Sequence, residues 1–277
     1  MIHNEYINRA IDYIFIHIDD DLSVDEIASY VGFSRFHFSR LFKKETGEGI
    51  FQFIKRMRME QSAFRLKVET DKSITEIGGD YGYSSSNYSS AFKQHHEITP
   101  AQFRQSILQK SLMNPIYNNT EVKLETYEEC CKKITIEHFD DMPVIYRRYK
   151  GNYLDLSQHW DEFQERYKDF ITDETLFLER TYNDPSITKT DECLYDICLS
   201  VPENCQLENT YTIKGGKFAV YHFSGPVKQI YTAYQSIFNV WMPKSKYQLD
   251  ERYDFEIYRN IDCDSMCMEI DLCIPVR

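Results

Sequence analysis

An internal repeat constrains this chain more than any other feature. Val24 to Phe53 (VDEIASYVGFSRFHFSRLFKKETGEGIFQF) aligns without a gap with Ile74 to Phe103 (ITEIGGDYGYSSSNYSSAFKQHHEITPAQF), 50 residues further on. Nine of the 30 positions are identical: Glu26/Glu76, Ile27/Ile77, Gly32/Gly82, Ser34/Ser84, Ser39/Ser89, Phe42/Phe92, Lys43/Lys93, Gln52/Gln102 and Phe53/Phe103. Val24/Ile74, Phe33/Tyr83 and Phe38/Tyr88 keep their character. Self-similarity at a fixed offset means one supersecondary unit made twice.

Each copy reads as helix, turn, helix. In the first, Val24, Ile27, Ala28 and Val31 recur at helical spacing. Gly32 can take the positive φ that ends a helix, and Ser34 suits the N-cap of the next. That second helix turns Phe38, Leu41 and Phe42 inward and leaves Arg35, Phe36, His37, Arg40, Lys43 and Lys44 outward. A short helix, basic on one face and held by a tight turn, has the diameter to enter the major groove of double-stranded DNA, where arginine can address guanine. Its counterpart in the second copy offers Ser85, Ser86, Asn87 and Lys93.

Ile7, Ala10, Ile11, Ile14 and Ile18 mark a preceding helix, and Phe53 to Leu66 a connecting one that displays Lys55, Arg56 and Arg58. The expectation is seven helices in two bundles bridged by one long connector. A rigid connector would set the two recognition helices into successive major grooves, about 34 Å apart.

The formal net charge of −12 argues against DNA only until it is split: residues 1–110 hold 14 Lys+Arg against 15 Asp+Glu, and residues 111–277 hold 18 against 29. The acid belongs to the second half, and local phosphate contacts decide affinity in the first. At 277 residues two domains are expected. The start of the chain, with Asp19, Asp20 and Asp21 and no long apolar run, reads as neither signal peptide nor membrane span, so the cytoplasm is the expected place. Cys130, Cys131, Cys193, Cys198, Cys205, Cys263, Cys267 and Cys273 form no CxxC pair. They read as reduced, half-buried strand residues; a redox or metal-sensing role is the alternative, and no metal or cofactor is called for.

GFSRFHFSRLFKKETG in the first copy, with GYSSSNYSSAFK and ITPAQFR in the second, resembles the AraC/XylS transcription regulators, whose DNA-binding domain is such a pair of helix-turn-helix units. The resemblance covers roughly residues 4–107. It implies an all-α domain over 1–108, with units at about 22–46 and 72–96. Three departures stand out. Ser89-Ser90 replaces the Ser-Arg that the first copy has at Ser39-Arg40; Ile50 stands where the family usually has proline; Glu97 stands where it usually has glycine. The first unit is therefore expected to supply most base discrimination and the second to position the backbone.

From Met113 to Glu121 helical periodicity is lost (MNPIYNNTE), which marks a linker over 109–120. Strand-length alternation follows in KITIEHF, VIYRRY, Leu194 to Val201, KFAVYHF, Phe255 to Tyr258 and Met268 to Ile274. A second duplication appears at an offset of 74: the strand ending at Tyr149 leads to a helix with Leu156, Trp160, Phe163 and Tyr167 on one face, and the strand ending at Phe223 to one with Ile230, Tyr234, Ile237 and Trp241. The reading is an α+β domain of two duplicated strand-helix-strand modules over 121–277, with a groove where they join.

MPVIYRRYKGNY, YNDPSIT, CLYDICLSV, GGKFAVYHFSG, WMPKSKYQLD, YDFEIYRN and EIDLCIPV resemble the GyrI-like effector-binding domain, found also in Rob-type and MerR-type regulators. Strand alternation in YDFEIYRN puts Phe255 and Ile257 on one face and Asp254, Glu256 and Tyr258 on the other. The resemblance places the family's pocket carboxylate at Glu256. A carboxylate among aromatics needs a partner, and a planar cation stacked on Trp or Tyr would serve. The expected effector is therefore small, cationic or amphiphilic, held by Glu256 with Trp241, Tyr149, Tyr195 and Tyr221 as walls; the competing picture is a solvated Glu256 on a soluble acidic surface.

Three functions compete. The first is an effector-controlled transcription regulator, with RNA polymerase as a further partner. The second is a constitutive regulator whose second domain binds a protein. The third is a GyrI-like hydrolase, for which no catalytic set can be placed. Two reading heads in one chain favour a monomer or weak dimer. The operator, the sign of regulation and the effector are not legible in the sequence.

Overall fold

The computed structural model describes residues 1–205, 207, 209–262 and 265–277, so Cys263 lies outside the described residues. The chain divides into two compact units, Met1–Leu108 and Gln109–Arg277. No helix among the described residues is long and apolar enough to cross a membrane.

In the first unit the repeat folds as one unit built twice. After α1 (Glu5–Ile16), the first copy contributes α2 (Val24–Tyr30) and α3 (Arg35–Thr46); α4 (Ile50–Val68) connects; the second contributes α5 (Ile74–Asp80) and α6 (Ser85–His96), followed by α7 (Pro100–Ser111). Ser23 and Ser73 cap the first helix of each copy by accepting from the amides of Glu26 and Glu76. Gly32 and Gly82 both take φ near +77°, a conformation that costs other L residues dearly, and this turns the chain between helices. The cores match closely. Ring centroids are 5.7 Å apart for Phe38–Phe42 and 5.3 Å for Phe42–Phe53, against 5.6 Å for Tyr88–Phe92 and 5.3 Å for Phe92–Phe103.

The connector differs from its expectation. Arg56 is only 7% exposed and forms ion pairs with Glu48 at 2.6 Å and Glu60 at 3.2 Å. Arg58 donates to the carbonyls of Ile18 and Asp20, and Lys55 to Gln94 at 2.6 Å. Lys55 is exposed as expected, whereas Arg56 and Arg58 fasten α4 to its surroundings rather than standing on display. A helix packed between two bundles has little solvent face, and long side chains there find carbonyls and carboxylates close by.

The second unit begins with a small hairpin, β1 (Met113–Asn114) with β2 (Thr120–Glu121), where the sequence suggested only a linker. Asn118 and Asn119 supply its positive-φ turn. After α8 (Tyr127–Lys133) the chain runs β3 (Ile134–Phe139), β4 (Met142–Lys150), α9 (Leu156–Tyr167), β5 (Phe177–Thr181), β6 (Leu194–Ser200), β7 (Thr210–Ile213), β8 (Gly216–Pro226), α10 (Ile230–Ser236), β9 (Phe255–Asp262) and β10 (Cys267–Pro275). The strands β3–β10 make one antiparallel sheet in the order β3-β8-β10-β9-β5-β6-β4-β7.

The order shows the duplication more fully than the pattern did. Each module is two strands, a helix and two strands, and each lends its first strand to the other: β3 pairs with β8, and β7 with β4. The seam between modules is β5 against β9.

One sheet face carries a closed core with Val144, Tyr146, Leu178, Phe218, Val220, Phe255 and Ile257. On it, Arg148 and Asp196, both fully buried, form a two-pronged ion pair at 2.8 and 2.7 Å. The two helical stripes are unequal. α9 is regular, whereas α10 passes into a widened π turn over Ile237–Trp241. There the Asn239 side chain donates to the Gln235 carbonyl at 2.8 Å, competing for the acceptor a regular helix would use.

Candidate nucleic-acid interface and effector site

On α3 the side chains of Arg35, Phe36, His37, Arg40, Lys43 and Lys44 are all exposed, while Phe38 and Phe42 are buried. Phe36 is 88% exposed, far from the usual habit of phenylalanine. On α6 Ser85, Ser86, Asn87 and Lys93 are exposed in the matching places. Local packing explains both sets: the buried aromatics, four residues apart, share one side of each helix, so residues one or two positions from them turn outward.

Sequence reasoning missed a contact at the head of each recognition helix. Arg35 donates to Asp25 of α2 at 3.1 Å, and the matching positions of the second copy, Ser85 and Thr75, place their hydroxyls 3.4 Å apart. The pair is half exposed, so it holds Arg35 weakly. His37 packs its ring 4.9 Å from Phe33, and its amide donates to the Ser34 cap.

In the second unit Glu256 is 5% exposed, which rules out a solvated strand residue. It stands directly opposite Glu179 across the module seam, and Glu179 is 2% exposed. Opposed residues of antiparallel strands share a face, so the two carboxylates lie together on the side away from the closed core. Tyr234 of α10 donates to Glu256 at 2.8 Å and Tyr258 to Glu179 at 2.7 Å. Trp160 of α9 sets its ring 5.4 Å from that of Tyr258.

Burial, with Asp254 as a nearby like charge and against the lowering pull of the Tyr234 hydrogen bond, pushes Glu256 up to about 7. Burial and then the charge of Glu256 hold Glu179 well above the usual carboxylate range. Asp254, half-buried, is pushed up to about 6 by loss of solvent.

The structure distributes the other expected walls. Tyr149 and Tyr195, opposed on β4 and β6, stack with centroids 5.6 Å apart, on the Glu179 side of the sheet; His159 of α9 stacks on Tyr149 at 4.0 Å and contacts the Tyr195 hydroxyl at 2.8 Å. Tyr221 lies two strands beyond Glu256, on β8, where its hydroxyl donates to Glu125 and accepts from Lys133. Trp241 stacks on Tyr247. Glu179 itself escaped sequence reasoning, because nothing in FLERT tells which strand it will face. A cleft of about 410 Å³ elsewhere in this unit is lined by residues such as Pro143, Val201, Tyr211 and Lys214 and by neither buried glutamate.

Residues 132–277 match the GyrI-like small molecule binding domain, and residues 27–106 a helix-turn-helix domain. The first match spans more than half of the chain, which therefore belongs to the GyrI-like family. Its N-terminal part is an AraC-type helix-turn-helix domain.

The regulatory protein PocR of Salmonella typhimurium is 37% identical over 110 residues, covering 39% of this chain and 36% of PocR. An uncharacterized HTH-type transcriptional regulator of Staphylococcus aureus is 34% identical over 105 residues, 38% of this chain and 14% of that one. The chain thus spans about a third of the first relative and a seventh of the second. The solved C-terminal domain of AraT, a response regulator from Geobacillus stearothermophilus, is 31% identical with a TM-score of 0.35, covering 36% of this chain and 84% of that one.

Proposed function

We propose that this chain is a sequence-specific transcription regulator that binds double-stranded DNA and is controlled by a small cationic or amphiphilic effector held beside Glu256. The observation that carries the effector reading is a buried carboxylate pair with tyrosine hydroxyls as donors and no ion pair to Lys or Arg among the described residues. Buried charge of this kind needs a partner, and Trp160, Tyr149 and Tyr195 supply aromatic surface for a flat cation. On the DNA side, α3 has arginines where α6 has serines, so the first head discriminates bases and the second mainly positions the backbone. Two heads in one chain suit a monomer on an asymmetric site; the effector acts by changing DNA grip or RNA polymerase contact.

A panel of cationic dyes tests the effector reading. The fluorescence of Trp160 and Trp241 should change on binding, Glu256→Gln should weaken the response, and the dye should alter promoter output. Unchanged fluorescence across the panel, with no effect of Glu256→Gln, would overturn it.

A further inference from the structure

We infer that the effector's positive charge is received by a carboxylate pair, Glu179 together with Glu256, and that the pair releases one proton for each monocation bound. This inference rests on the reading that a cation binds beside Glu256.

The geometry that carries it is the seam register. Glu179 and Glu256 are direct partners on β5 and β9, and opposed Cβ atoms of an antiparallel pair lie about 4.5–5.5 Å apart. Two glutamates rising from one face at that Cβ spacing, out of water, repel when both are ionised, as the Glu256 charge does at Glu179, and such a pair keeps one proton as a unit. The surroundings offer no substitute for it. Tyr258 and Tyr234 each give one hydrogen bond, Asp254 adds negative charge, and Tyr153, Tyr195 and Cys273 are further titratable groups that feel the acids. From α9, His159 is engaged by Tyr149 and Tyr195.

A second observation points to a ligand. The indole nitrogen of Trp160 and the hydroxyl of Tyr149 are buried in loose contact with Tyr258 and Arg147, outside good hydrogen-bond geometry, and Trp160, 8% exposed, packs its ring against Tyr258. Loosely engaged polar groups in an aromatic wall on the same sheet face as the acid pair fit an aromatic cation with an acceptor group. In the exchange, the cation enters, the O–H bond of the protonated carboxyl breaks, its electron pair stays on the carboxylate, and the proton leaves to solvent. Burial raises both acids, Glu256 to about 7 and Glu179, with the Glu256 charge added, well above the usual carboxylate range, so a proton is held for exchange at about pH 6.

The test is calorimetric titration of the full chain with crystal violet, an aromatic monocation, from about pH 6 to about pH 8 in two buffers of different ionisation enthalpy. Near pH 6 about one proton should be released per dye bound, and Kd should improve up to about tenfold per pH unit until the pair has titrated. The neutral leuco form of the dye should release none. Glu179→Gln should bind the dye with little release and a flat Kd. Binding of the dye by the unaltered chain with no proton release and no pH dependence would overturn the exchange while leaving a cation site standing. No binding of the dye at any pH would overturn both readings. The unaltered chain decides by itself, even if Glu179→Gln fails to fold.

Discussion

Replacing Glu256 by glutamine should raise the stability of the second unit at alkaline pH while changing it little in acid. Burial first, with the Asp254 charge adding to it, lifts the Glu256 carboxyl from an ordinary 4.5 to about 7. At roughly 1.4 kcal/mol per pH unit, that difference corresponds to about 3 kcal/mol. A carboxyl whose folded value is raised stabilises fully below its unfolded value and loses that contribution as pH rises through the folded one, so the window runs from about 4.5 to about 7. Glutamine keeps an oxygen to accept from Tyr234 and cannot ionise.

For a unit of this size, 3 kcal/mol corresponds to roughly ten degrees in Tm. Both tryptophans, Trp160 and Trp241, lie in the second unit, so thermal unfolding followed by their fluorescence reports on it selectively. His159, depressed by burial, works the other way, adding stability as pH rises. It is common to both proteins and cancels in the difference. The unaltered chain should fall below the variant by several degrees at about pH 8 and match it near pH 5. Parallel Tm curves across that range would refute the buried-acid reasoning.

Glu97 closes α6 with φ of +65°, where its counterpart Gly47 sits at +83°. Glu97→Gly should therefore stabilise the first unit by about 1 kcal/mol in chemical unfolding. Asp25→Asn should leave Tm nearly unchanged, because the exposed Asp25–Arg35 pair is weak, and should tighten DNA binding several-fold by removing a negative charge beside a phosphate ligand; unchanged affinity would remove Arg35 from the interface. Arg40→Ala should cost about 1–3 kcal/mol of specific binding and relax sequence preference, with Asn87→Ala costing less. Lys43→Ala should instead weaken all sequences alike and lower the salt slope by about 1. Direct binding titrations at several salt concentrations separate these two behaviours.

The first unit was legible almost residue by residue because its contacts are local. The cap at Ser34, the turns at Gly32 and Gly82, and the paired aromatic triads follow from helical spacing and a repeat in register. What sequence misplaced there, Arg56 and Arg58, depended on which carboxylates and carbonyls surround α4, a matter of packing between helices. In the second unit the strands and the duplication could be read, yet the exchange of β3 and β7 between modules could not, since pairing partners are far apart in sequence. The same limit hid the acid pair. Alternation put Glu256 on a face, but only the register of β9 against β5 brings Glu179 to it. The short strands β5 and β7 also passed unnoticed, each too brief for alternation to stand out.

The central claim is that two unequal heads read one stretch of DNA, and hydroxyl-radical footprinting of the full chain on DNA selected for binding tests it most directly. Two protected segments are expected on one face, about one helical turn apart, with strong sequence preference in only one, and that preference lost in Arg40→Ala. A single protected segment, or a sequence preference that survives Arg40→Ala and disappears in Asn87→Ala, would contradict it.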